Sequence, residues 1–232
     1  MPGTSLEGIN PTYIYKVVLL GSTSVGKSSL AYRYVKNDFK ESLPTVGCSF
    51  FTQTLKVEAA TIKFEIWDTA GQEKYHSVGH LYYRGAHAAL LVYDITNKET
   101  LNRAKMWLTD LEKEFLPDEI VIALVGNKTD LAAEREVATE EGEEFARTKG
   151  LLFMETSAKS NHQVNDIFMT IAASACTVPG SFKGHNHSSP WFQCNMSHFS
   201  REMDKQIQPR MLQHQKGILG PPSEPVFFCF SA

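Results

Sequence analysis

Two runs, "AALLVY" at 88–93 and "IVIALVG" at 120–126, carry no charged side chain from end to end. A strand with one face in water alternates apolar and polar residues; these do not, so both of their faces must be covered by protein. Shorter runs with the same β-branched character stand at "YKVVLL" (15–20) and "LLFMET" (151–156). Segments of helical period lie between them, at 98–115 and 139–148, with a last one at 162–175. Strands alternating with helices predict an α/β, doubly wound, mostly parallel sheet with helices on both faces. Two other runs, "SFFTQTLKVE" (49–58) and "TIKFEIWD" (61–68), alternate apolar and polar around "EAA" and predict a hairpin at the sheet edge.

The chain has 232 residues, which allows one large domain or two small ones. Composition favours one. Residues 14–175 hold all the patterned segments, whereas 176–232 hold six of the ten Pro and four of the eight His without a sustained period. The tail is expected to be largely disordered, and residues 1–13 to be a flexible extension. A net charge of −3 gives no electrostatic reason to expect a nucleic acid partner. The four Cys are too sparse for a disulfide scaffold and suit a cytosolic compartment. No basic-then-apolar leader opens the sequence, and no run is long enough to cross a bilayer.

The chemistry starts at "LLGSTSVGKSSLAYRY" (19–34), where a strand gives way to small residues, a Lys and a helix. Gly21, Gly26, Lys27 and Ser28 fit the phosphate-loop spacing. Glycines let backbone N–H groups of a stretch such as Ser24, Val25 and Ser29 face phosphate oxygens, and the helix N-terminus adds a positive dipole end. Lys27 offers a charge to the β- and γ-phosphates, and Ser28 a hydroxyl for Mg²⁺.

A phosphate loop does not choose between bases. "VGNKTD" (125–130) does, because a carboxylate at Asp130 can accept from both N1–H and the exocyclic amine of guanine, whereas adenine has no donor at N1. Asn127 would brace that loop, and the stem of Lys128 would cover the base. "ETSAK" (155–159) follows another strand, so Ser157, Lys159 and the Ala158 N–H, which can meet the guanine O6, join the candidate site. In "WDTAGQEKY" (67–75), Asp68 can hold the Mg²⁺ shell and Gly71 can approach the γ-phosphate. Gln72 can orient the attacking water as the catalytic residue. Thr45, in "SLPTVG", is a further candidate metal ligand.

"GSTSVGKS", "PTVG", "WDTAGQE", "NKTD" and "ETSAK" together resemble the Ras superfamily of small GTPases, and "YYRGA" with "LVYDIT" resembles its Rab family. The resemblance covers residues 14 to about 175. It implies a six-stranded sheet with five helices, binding of GTP or GDP with Mg²⁺, and slow hydrolysis in a monomeric switch of endosomal vesicle trafficking. It implies as partners an exchange factor, a GTPase-activating protein, effectors, a GDP dissociation inhibitor and an escort protein. It places Phe39 against the guanine and makes Phe50, Trp67 and Tyr82 an aromatic patch for effectors. Core packing is the competing reading for those three aromatics.

The sequence departs from the family in two places. Thr23 stands in the phosphate loop where Ras carries Gly, so a side chain crowds the space beside the γ-phosphate. The last helix stops near "CTVPG", and the usual terminal Cys pair is absent. Cys229 in "VFFCFSA" matches a single-prenyl signal only nominally, because Ser231 occupies an aliphatic position. One such chain gives weak, reversible attachment. The expectation is therefore a mainly cytosolic chain, although the family works on the cytoplasmic face of recycling membranes. An alternative is a GTP-binding variant that does not cycle on membranes and sequesters regulators or effectors. His185, His187, Cys194 and His198 lie close together, but their spacing fits no standard zinc site.

Overall fold

The computed structural model describes residues 12–41, 45, 47–57, 60–71, 82–117 and 119–175. Residues 1–11, Gln72 and the tail with Cys229 and its His residues lie outside the described residues, whereas Thr12 and Tyr13, expected to belong to the flexible extension, are extended strand with Tyr13 buried in the core.

A single six-stranded sheet organises the fold, in the order β2-β3-β1-β4-β5-β6. The strands are β1 (Thr12–Leu20), β2 (Cys48–Val57), β3 (Ala60–Thr69), β4 (Ala88–Asp94), β5 (Val121–Asn127) and β6 (Leu152–Glu155). All neighbouring pairs are parallel except β2 with β3, the edge hairpin that the alternating runs predicted. Every residue of β4 is buried, as its unbroken apolar run required. The helices are α1 (Lys27–Lys36), α2 (Lys98–Glu114), α3 (Thr139–Lys149) and α4 (Val164–Ala175). The described residues thus hold four α-helices where the resemblance implied five, and the stretch 72–81 between β3 and β4 is not among them.

The period-2 alternation of β1 divides the core into two. Tyr15, Val17 and Leu19 join Leu30 of α1 and Phe168 of α4 on one face. Val18 and Leu20 join Leu101, Leu108 and Leu111 of α2 on the other. Local signals start and stop the helices. Asn97 caps α2 by accepting from the Glu99 N–H at 3.1 Å. Asn37, at φ 52°, ends α1 and donates its N–H to Arg33 O at 2.9 Å. The last helix starts at Val164, not 162. Ser157 and His162 exchange backbone hydrogen bonds of 3.0 and 3.1 Å, and Asn161 and Gln163 have positive φ, so the preceding turn cannot be helical.

The carboxyl ends of β1, β3, β5 and β6 share one edge of the sheet. There β1 feeds the loop 21–26, β3 ends near Gly71, β5 ends at Asn127 and β6 leads to 157–159. The strand order reverses beside β1, which is where open α/β sheets present a ligand crevice.

Candidate functional site

These strand ends enclose a pocket of about 350 Å³. Its lining includes Ser24, Gly26, Lys27, Ser28, Ser29, Phe39, Thr45, Gly71, Asn127, Lys128, Asp130, Ala158 and Lys159, all singled out from the sequence. Thr23, the departure in the phosphate loop, also lines it, and so do Glu41 and Leu131, which the sequence reading missed. Gly21, Val25, Asp68 and Ser157 lie outside that lining and act on it from behind.

The loop that opens α1 is tightly built. Gly21 has φ 142°, and a Cβ there would meet Val92 O at 2.2 Å. Gly26 has φ 97°, and a Cβ there would meet the Asn127 amide nitrogen at 2.3 Å. Both positions therefore need glycine for conformation and for space. Gly71 approaches from β3, so closely that a Cβ would lie 2.3 Å from Thr23 N and 2.4 Å from Ser22 C.

Lys27 is buried, and its ammonium donates to Gly21 O at 2.9 Å and Ser22 O at 2.8 Å. Burial pushes its pKa down to about 8, with the nearby Asp68 carboxylate opposing the shift. Asp68 is completely buried, and burial raises its pKa against the opposing hydrogen bond from Ser28 and the Lys27 charge. Ser28 Oγ donates to Asp68 Oδ2 at 2.5 Å and lies 2.8 Å from Thr45 Oγ1. Thr45 Oγ1 is 3.5 Å from the same carboxylate oxygen. The sequence reading named these three residues separately as metal ligands; the fold gathers their oxygens. Asp68 Oδ1 is buried without a hydrogen-bond partner among the described residues. Two hydroxyls and a carboxylate are hard oxygen donors, so the set fits Mg²⁺.

The opposite end of the pocket is held by Asn127, itself 2% exposed. Its amide donates to Val25 O at 2.8 Å, and its Oδ1 accepts from Thr156 Oγ1 at 3.2 Å and Ala158 N at 3.3 Å. One side chain thus ties the phosphate loop to the loops after β5 and β6. Ser157 Oγ donates to Asp130 Oδ1 at 2.6 Å and receives the Ser160 N–H at 3.0 Å. Ser157 therefore orients the carboxylate instead of lining the pocket. Lys128, at φ 74°, pairs with Asp94 at 2.6 Å. Arg33 of α1 was missed by the sequence reading: its guanidinium donates to Ala158 O at 2.7 Å, Lys159 O at 3.0 Å and Asn37 O at 3.1 Å.

Of the aromatic trio, Phe50 and Trp67 are cross-strand partners with ring centroids 5.4 Å apart at 75°. Phe50 is 51% exposed, and the Lys16 ammonium sits 4.7 Å from the Trp67 ring centroid. Tyr82 is half-buried and, like Trp67, packs on the core beside α2. Core packing thus describes much of Trp67 and Tyr82, whereas Phe50 is a surface residue.

A glycine loop on the first strand, at the crevice of a largely parallel sheet with one antiparallel edge, is the architecture of a P-loop nucleotide-binding domain. Residues 16–177 match the family model described as the Ras family, and the chain belongs to that family of small GTPases, in its Rab branch. It is similar to the Ras-related protein Rab-17 of Homo sapiens, at 67% identity over 159 residues, 68% of this chain and 75% of that protein. It is also similar to the Ras-related protein Rab-17 of Mus musculus, at 66% identity over 172 residues, 74% of this chain and 80% of that protein. The chain is accordingly an enzyme that hydrolyses GTP, within a family of vesicle-trafficking switches.

Proposed function

We propose that the pocket at the strand ends holds GTP with its phosphates on the loop 21–29 and its base between Asn127, Asp130 and Ala158. The observation that carries this reading is the single lining that contains Lys27 and Ser28 at one end and Asp130 and Ala158 at the other. Lys27 meets the β- and γ-phosphates, whose charge favours its ammonium over the neutral amine. Asp130, fixed by Ser157, accepts from guanine with its remaining capacity, and the Ala158 N–H faces O6. Phe39 and the stem of Lys128 cover the base. Ser28, Thr45 and Asp68 hold Mg²⁺, which supplies neutralisation of phosphate charge when bound. Gly71, with no Cβ, brings its N–H beside the terminal phosphate, and Gln72 orients the attacking water for in-line displacement. Thr23 narrows the space for that water and slows the intrinsic reaction.

Nucleotide state then selects partners. Phe50, Trp67 and Tyr82 supply the aromatic surface that effectors read, and the half-exposed Phe50 is its most accessible member. The GTP-binding unit occupies the expected 14–175, with Thr12 and Tyr13 added at the start of β1.

The test is an exchange of the base partner. Asp130→Asn replaces an acceptor by a donor, so GTP affinity falls and xanthosine triphosphate affinity rises. An unpaired buried group costs on the order of 1–3 kcal/mol, which makes the switch about tenfold or more. Equal affinity of the parent chain for GTP and ATP would sink the base assignment.

A further inference from the structure

Arg33 stands on α1, far in sequence from the loops it touches. Its Nε and Nη2 reach two consecutive carbonyls, Ala158 O at 2.7 Å and Lys159 O at 3.0 Å. Its Nη1 reaches Asn37 O at 3.1 Å. Asn37 is the left-handed residue that ends α1, and the segment it starts carries Phe39 into the pocket lining. Asn161 Nδ2 adds a second tie by donating to Asn37 Oδ1 at 3.2 Å. The guanidinium, a flat fork of fixed donors, thus ties together two segments that both line the pocket, the one that carries Phe39 and the one that holds Ala158 and Lys159. Arg33 lines no part of that pocket itself.

We propose that Arg33 is a positioning residue that clamps the base end of the pocket and sets the rate of nucleotide release. The proposal rests on the guanine-nucleotide reading above. For the base to leave, the wall at Phe39 and the wall at Ala158 must part, and the three guanidinium bonds oppose that opening. The clamp makes none of its bonds to Ser28, Thr45, Asp68 or Gly71. It therefore acts alike on di- and triphosphate and leaves the hydrolytic step alone. An ammonium on a lysine stem keeps the charge but lacks the fork that meets two consecutive carbonyls.

The experiment follows release of fluorescent GDP, and of a non-hydrolysable fluorescent GTP analogue, from the full chain. Arg33→Gln and Arg33→Lys are compared with the parent. Arg33→Gln is expected to speed release of both nucleotides by the same factor, about tenfold for lost bonds to a charged group. Arg33→Lys recovers only part of this, and single-turnover hydrolysis of bound GTP stays within about twofold of the parent. Release at the parental rate, acceleration limited to one nucleotide, or a matching fall in single-turnover hydrolysis overturns the clamp. Should Arg33→Gln not fold, Arg33→Lys decides: faster release of both nucleotides, by about two- to threefold, supports the clamp and the parental rate overturns it. A parent chain that retains no guanine nucleotide refutes the underlying reading; a parent that retains it beside variants of unchanged release refutes only the clamp.

Discussion

Asn127→Ala removes a side chain that is 2% exposed and serves three partners. The strongest bond is the donation to Val25 O at 2.8 Å; the two acceptances from Thr156 Oγ1 and Ala158 N are longer, at 3.2 and 3.3 Å. The substitution leaves a buried carbonyl, hydroxyl and amide to find new partners, each at about 1–3 kcal/mol if none is found. The Thr156 hydroxyl can rotate, so the expected loss is about 3–5 kcal/mol, a large part of the ~5–15 kcal/mol of a typical domain. For a domain of this size that lowers Tm by about 10 °C. The assay is thermal unfolding followed by circular dichroism, without nucleotide and with saturating GDP. Thr156→Val is the control: it removes one long bond and leaves Asn127 Oδ1 with its Ala158 donor, so it costs about 1 kcal/mol or less. Equal losses for the two variants, or a loss below about 1 kcal/mol for Asn127→Ala without nucleotide, would refute Asn127 as the common tie of the three loops.

Two further outcomes follow from the site. Ser28→Asn replaces the hydroxyl that contacts both Asp68 and Thr45; the Mg²⁺ dependence of nucleotide retention, measured by adding a chelator, should largely vanish in the variant. Cys48 has its thiol pKa pushed up to about 11 by burial, with Asp68 adding to the shift and Lys16 opposing it. The thiol is therefore protonated at neutral pH, and its alkylation by iodoacetamide, read by peptide mass, should stay slow until the pH approaches 11. The raised value also means that stability from this group is fully present below the unfolded thiol's pKa and is lost as pH rises from there through the folded value of about 11.

The strands and the edge hairpin were legible because burial on both faces writes itself into β4 and β5 as continuous apolar residues, and the half-covered hairpin as alternation; the order of the parallel strands is a property of their packing and stands in none of them singly. The site was legible where one residue type has one use: Lys27 after glycine, Asp130 beside a base, Ser28 next to Lys27. The geometry of the metal set was not, because Ser28, Thr45 and Asp68 belong to three separate segments that only the sheet brings together. Arg33 was invisible for a related reason. An arginine near the end of a helix reads as a solvated charge favoured by the helix dipole, and its carbonyl partners lie about 125 residues away. Ser157 was read as a contact to the ligand, yet its hydroxyl is spent on Asp130 and the Ser160 N–H. Backbone conformation decided that, and single-residue chemistry carries no record of it. The GTPase and Rab membership came from the whole set of motifs, and the family match to residues 16–177 agrees with it.

The hairpin register pairs Ser49 with Asp68 and Phe50 with Trp67, on consecutive rungs. The carboxylate bonded to Ser28 and the aromatic pair with a half-exposed Phe50 are thus separated by one residue step, about 3.4 Å of strand. The side chains point to opposite faces, so one peptide unit joins a buried acid to the Trp67 ring on which Phe50 packs. Any rotation of that peptide tilts both at once, like the two arms of a short lever. A displacement of Asp68 at the pocket end would therefore reach the Trp67–Phe50 pair across a single peptide unit.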